Sequence, residues 1–69
     1  MSFDDLCGLL EHVGFVLRRT AGSHRIYRHA TRPALPLMNL QRAAGGKAKP
    51  YQVRQVLEVI EVNGLEEVQ

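Results

Sequence analysis

Gly22-Ser23-His24-Arg25-Ile26-Tyr27-Arg28-His29 is the stretch around which the rest of this 69-residue chain is organised. A glycine turn runs into a short alternating run with β-branched and aromatic members, the pattern of a strand. Phe15 to Thr20, just before it, also reads as a strand. Ala21-Gly22-Ser23 is the turn between them, with Gly22 supplying backbone angles that other residues resist. The two strands form a hairpin. On the first, Phe15, Leu17 and Arg19 share one face, and Val16, Arg18 and Thr20 the other. On the second, His24, Ile26 and Arg28 share one face, and Arg25, Tyr27 and His29 the other. Tyr27 is expected to pack toward the helices, leaving His24 and Arg28 to look outward.

Working outward, Phe3, Leu6, Leu9, Leu10 and Val13 recur at helical spacing, and Cys7 lies beside that stripe as a small buried hydrophobe. Ser2 fits the N-cap with Asp5 three residues on, Asp4 and Asp5 suit the positive end of the helix dipole, and Gly14 fits the left-handed stop. Gly8 weakens the middle of this helix, and His12 suits its C-terminal end. Beyond the hairpin, Ala30-Thr31-Arg32-Pro33 is a turn. Ala34 to Leu40 is expected as a third strand, with Pro36 placing it at an edge. Gln41 to Ala48 reads as a loop that Gly45-Gly46 makes flexible. Pro50 opens a second helix, Val53, Val56, Leu57 and Ile60 mark its apolar stripe, and Asn63-Gly64 closes it. Leu65 is expected to fold back on the last turn and Glu66 to Gln69 to fray. The predicted architecture is an α+β domain over residues 1–69, α-β-β-β-α. A small three-stranded antiparallel sheet carries both helices on one face, and the other face stays open to solvent or ligand.

A chain this short holds one domain with a thin stability margin. Its hydrophobic content of 45%, with no Trp, leaves aliphatic side chains to fill most of the core. No apolar run is long enough to cross a bilayer, and Met1-Ser2-Phe3-Asp4-Asp5 lacks the basic region of a secretory signal. The single Cys7 cannot form an internal disulfide, no Cys/His spacing fits a zinc site, and a reducing cytoplasm is the simplest compartment. Charge is segregated. All nine Lys and Arg lie between Arg18 and Arg54, and all seven Asp and Glu lie outside that segment. A purely basic centre between acidic ends suggests a face for a polyanion, with RNA the leading candidate.

Several chemistries lack their residues. A metal nuclease wants two or more carboxylates near the phosphates, and the basic centre has none. A hydrolase triad wants an acid to orient its histidine. Gly45-Gly46-Lys47 is too short for a phosphate-binding P-loop. What remains is His24 among arginines. Histidine can take a proton from a ribose 2′-hydroxyl near neutral pH, and the activated oxygen can then attack the adjacent phosphate. Arg28 or Arg25 would hold that phosphate. His29 or water would protonate the leaving oxygen, although His29 falls on the opposite face. The bland alternative is that His24 only opens a strand and bonds a turn carbonyl. Arg18, Arg19, Arg32, Arg42, Lys47, Lys49 and Arg54 read as phosphate contacts, or as solvated side chains. Tyr27 and Tyr51 suit base stacking less than packing.

Gly14-Phe15 leading into a strand, followed by Gly22-Ser23-His24-Arg25-Ile26-Tyr27-Arg28-His29, resembles the HicA (YcfA-like) toxin family. The likeness covers nearly the whole chain and includes the order of elements. It implies a fold similar to the double-stranded-RNA-binding domain. It also implies a toxin of a toxin–antitoxin pair, an endoribonuclease cleaving messenger RNA; the histidine scheme read from the residues needs neither a metal nor a small-molecule cofactor. The motif histidine is the family's catalytic residue and matches His24. Arg18, Arg25, Arg28, Lys47 and Lys49 are then the expected RNA contacts, with Ser23 and His29 as possible accessories. A HicB-like antitoxin is the expected partner, covering the active site. The third strand departs from the common pattern, since Pro36 is followed by Leu37 and Met38 where many members carry Pro-x-His. Gly46 to Tyr51 is also longer and more basic than in compact members. A non-catalytic RNA-binding module and a basic protein-interaction domain are the alternative readings.

Overall fold

The structure, a computed structural model, describes residues 1–65. The expected fraying of Glu66 to Gln69 lies outside the described residues. The elements run α1 (Phe3–His12), β1 (Phe15–Ala21), β2 (His24–His29), β3 (Met38–Gln41), a short 3-10 turn (Ala44–Gly46) and α2 (Pro50–Val62). The sheet is antiparallel with order β1-β2-β3, so the motif strand is central. This is the α-β-β-β-α, α+β fold that the sequence predicts.

Local chemistry sets the ends of α1. Ser2 adopts extended backbone and its Oγ accepts from the Asp5 N–H at 3.0 Å, satisfying one of the free N–H groups of the first turn. Gly14, at φ 103°, lets the chain leave the helix directly into β1. Phe3, Leu6, Cys7, Leu10 and Val13 are all buried, as their spacing requires. They meet Phe15, Tyr27, Met38 and Leu40 from one face of the sheet and Val56 from α2. Both helices therefore contribute to a single core on that face. Each large side chain sealed there contributes roughly 1.5–3 kcal/mol.

Three details differ from the sequence reading. First, β1 carries a bulge. Leu17 pairs with Tyr27, but Arg19, not Arg18, pairs with Ile26. The extra residue reverses the alternation beyond it. Arg19 moves to the open face and Thr20, opposite Arg25, to the helix face. Second, β3 starts at Met38 rather than Ala34, because the chain turns first; the Leu35 N–H donates to Arg32 O at 3.1 Å. Third, Leu57 of α2 is 49% exposed, while Val53, Val59 and Ile60 pack against the core beside Val56. Leu65 does fold back, its N–H donating to Ile60 O at 2.9 Å.

The loop from 42 to 48 is tied down. Gly45 and Gly46 take positive φ angles of 74° and 71° and fold it into a tight turn. Ala43 N–H then donates to Lys47 O, and Ala48 N–H to Met1 O. The outer edge of β3 is closed by a side chain. Buried Gln52 of α2 accepts from Gln41 N–H at 3.1 Å and donates to Asn39 O at 3.2 Å. Its amide does for β3 what a fourth strand would do, which removes an exposed edge.

Candidate active site

The open face of the sheet is a small grid. Across its middle row stand Arg19, Ile26 and Asn39; the row toward the hairpin turn holds Ala21, His24 and Gln41; the row beyond pairs Val16 with Arg28. None of the three strands contains an acidic residue. The helices carry Asp4, Asp5, Glu11, Glu58 and Glu61 instead.

His24 is half-buried at the start of β2, with Nδ1 3.0 Å from Asn39 Oδ1. An amide oxygen only accepts, so Nδ1 donates in this hydrogen bond, and in the neutral ring that leaves Nε2 as the acceptor. Nε2 makes no hydrogen bond among the described residues. Directly opposite His24, Gln41 Nε2 donates to Ser23 Oγ at 3.2 Å, and Lys49 Nζ donates to Gln41 Oε1 at 2.8 Å. Ser23, Gln41 and Lys49 thus form a hydrogen-bonded chain beside the histidine. Gln52 fixes the backbone under both Asn39 and Gln41. Arg28 and Arg19 are exposed on the same face.

The structure sets Ser23 and, through Gln41, Lys49 beside His24, leaves Arg28 on the same face two rows further along β2, and turns other predicted site residues away from it. His29, offered as an accessory acid, is 8% exposed on the helix face. Its Nε2 donates to Val13 O at 3.0 Å, and its Nδ1 accepts from Thr31 N–H and Arg32 N–H at 3.2 and 3.1 Å. The Phe15 ring stands edge-on to it, centroids 5.1 Å apart. With both nitrogens occupied, His29 ties the end of α1 to the turn after β2 and is structural. Arg25, offered as a phosphate holder, lies on the helix face with Tyr27, as the alternation of β2 predicts, its guanidinium 5.1 Å from the Phe3 ring centroid. A hydrogen bond to the Tyr27 hydroxyl raises its pKa further. Burial, with Cys7 adding and Arg25 opposing, pushes Tyr27 up to about 12. Arg18 is exposed at the bulge, and Lys47 is exposed in the segment bridged to Ser2. Arg32 donates to Asn63 O at the end of α2, and Arg42 pairs with Asp4 and lies 5.1 Å from the Phe3 centroid.

Sequence reasoning missed Asn39, Gln41 and the shift of Arg19. The signal for the first two was the alternation Met38-Asn39-Leu40-Gln41, which an earlier strand start obscured. The third-strand departure falls on Met38, which is 1% exposed in the core, opposite Tyr27. The residue of β3 that touches His24 is Asn39. Among the described residues, a cavity of about 240 Å³ lies beside His29 and another of about 190 Å³ beside Arg25; His24 lines neither. Among the described residues, no helix is long and apolar enough to cross a membrane.

Comparison with known proteins agrees with this architecture. The sequence model described as the HicA toxin of bacterial toxin–antitoxin matches residues 3–62, from the first residue of α1 to the last of α2. No significant match was found among curated proteins or solved structures. The chain belongs to the HicA toxin family, which makes it the toxin of a toxin–antitoxin system with a cognate antitoxin as partner.

Proposed function

We propose that this HicA-family toxin is a metal-independent endoribonuclease that cuts messenger RNA in the cytoplasm, with His24 as its general base. The observation that carries this reading is the His24–Asn39 hydrogen bond. It favours, in the neutral ring, the tautomer with Nε2 unprotonated, on a face whose strands carry Arg19 and Arg28 and no acid. Nε2 takes the proton of a ribose 2′-hydroxyl, and the 2′-oxygen attacks the neighbouring phosphorus. The bond to the 5′-oxygen breaks as water protonates that leaving group. His29 is locked on the other face and takes no part. Arg28 and Arg19 neutralise the charge that gathers on the phosphate, the role such preorganised donors play in phosphoryl chemistry. RNA contacts extend to Lys49, Arg18 and Lys47. The antitoxin is a HicB-like protein that presents acidic side chains over β2 and covers His24.

Cleavage of end-labelled RNA tests the mechanism. Products should carry 2′,3′-cyclic phosphate and 5′-hydroxyl ends and should form in the presence of EDTA. His24→Ala should lower the rate by roughly a hundredfold to ten-thousandfold, the usual worth of a general base, while RNA still binds. A single 2′-deoxy substitution should protect its own bond alone. Activity that vanishes with EDTA and returns with magnesium would overturn the histidine mechanism. So would a folded His24→Ala variant that cuts at the parental rate.

A further inference from the structure

The cavity beside Arg25 lies on the helix side of the sheet at the tip of the β1–β2 hairpin. It is lined by Phe3, Thr20, Gly22, Ser23, Arg25 and Arg42 and encloses about 190 Å³. We propose that this cavity is a second phosphate subsite for the RNA strand, distinct from the bond cut at His24 and reached round the Gly22–Ser23 turn. The inference rests on the ribonuclease reading and adds a binding site to it.

Four observations point to a phosphate. Arg25 and Arg42 both line the space, and each guanidinium sits 5.1 Å from the centroid of the same buried Phe3 ring. Stacking on one ring holds two planar donor forks in place before any ligand arrives, the arrangement suited to bidentate phosphate recognition. Thr20 and Ser23 line the same space, the Ser23 hydroxyl being engaged by Gln41 Nε2 on the open-face side. Thr20 reaches it only because the β1 bulge turns it to this face, opposite Arg25. At the turn itself, Gly22 has a φ of 60°, and a side chain placed there would meet nothing within 4 Å, so a ligand backbone can pass close.

Continuity favours RNA over an acidic protein side chain. Ser23 and Arg25 are the residues on either side of His24, and one strand crossing the hairpin tip meets both faces. Arg42 is held by Asp4 at 3.3 Å, with the two side chains 45% and 73% exposed. An exposed pair of that kind is weak, and a phosphate can displace the carboxylate.

Binding of intact RNA to the His24→Ala protein, followed across a salt series, tests the subsite. Thr20→Glu places an acid in the cavity from an exposed position. It should weaken RNA binding several-fold and flatten the log–log salt slope by about 0.7, one single-strand phosphate contact. Asp4→Asn releases Arg42 and should tighten binding about twofold to fivefold, the strength of an exposed ion pair. Asp5→Asn, one residue on in the same exposed turn, should do less. Equal effects of the two Asp changes, or an unchanged slope in Thr20→Glu, would overturn the proposal. Loss of antitoxin binding with RNA binding intact would overturn it too, assigning the cavity to a protein. If His24→Ala binds no RNA at all, the ribonuclease reading fails, and inorganic phosphate decides the subsite separately. Amide shifts at Thr20, Gly22 and Ser23 that disappear in Arg42→Gln would uphold it, and their absence would overturn it.

Discussion

At the residue scale, two histidines on one strand do opposite jobs because successive side chains point to opposite faces. Among the described residues His24 keeps one ring nitrogen without a hydrogen bond, whereas His29 spends both on backbone groups. Replacing His29 with Ala leaves one buried carbonyl and two N–H groups without partners and opens space beside Phe15. The expected cost is roughly 2–4 kcal/mol, read as a lower denaturant midpoint at unchanged m-value. In the proposed mechanism Asn39 acts through His24 as a positioning residue. Asn39→Ala should cut the cleavage rate at least about tenfold with little change in RNA affinity, and Asn39→Asp, which keeps the acceptor, should restore much of it. A rate unaffected by Asn39→Ala would separate the tautomer from the chemistry. Of these roles, the sequence made His24's outward face legible. It also placed His29 on the opposite face, but not its bonds, because Val13, Thr31 and Arg32 come to it only in the folded chain.

At the element scale, β3 is four residues long and lies at the sheet edge, yet it carries both Asn39 and Gln41. Its precision comes from Gln52, whose amide holds the backbone from outside. Gln52→Ala should free two backbone groups and destabilise the protein by about 1–3 kcal/mol. It should also speed amide exchange at Gln41 ahead of global unfolding, and reduce cleavage more than the stability loss explains. Uniform exchange with normal activity would show that β3 needs no such brace. A Gln within an amphipathic stripe looks like a polar interruption in sequence. Its role depends on α2 lying alongside β3, which no local pattern specifies. The β1 bulge is similar: Phe15 to Thr20 reads as unbroken alternation, and only pairing with Tyr27 and Ile26 shows where a residue is inserted.

At the scale of the whole molecule, segregated charge becomes a segregated surface. Eight of the nine Lys and Arg lie in strands and loops, with Arg54 on α2; among the described residues the acids lie in the helices, and the strands of the open face carry charge of a single sign. Association with the antitoxin should therefore slow as salt rises, and reversing Arg19 and Arg28 to Glu should slow it further at low salt. A complex that leaves His24 open to RNA would contradict an inhibitor acting on this face. The core makes a second prediction. Tyr27, pushed up to about 12 by burial, keeps its proton more tightly when folded than in the unfolded chain, where tyrosine ionises near 10. That contribution is complete below about 10 and is lost as pH rises through about 12. Stability should fall across that window, with tyrosine ionisation by ultraviolet absorbance tracking unfolding, and Tyr27→Phe should flatten the fall.

The sequence by itself determined the order of elements, the division of β2 into a His24 face and a Tyr27 face, and the basic centre in which His24 lies. These are local properties: the period of apolar residues, turn chemistry, and charge along the chain. The tertiary structure alone decided that Arg19 and Thr20 exchange faces, that Arg25 and Arg42 share the Phe3 ring, and that Asn39 and not position 38 meets His24. Each of these depends on strand register, and register is set by which residues lie opposite one another across the sheet. A shift of one residue reverses every face beyond it, and nothing in the alternation of a single strand records that shift.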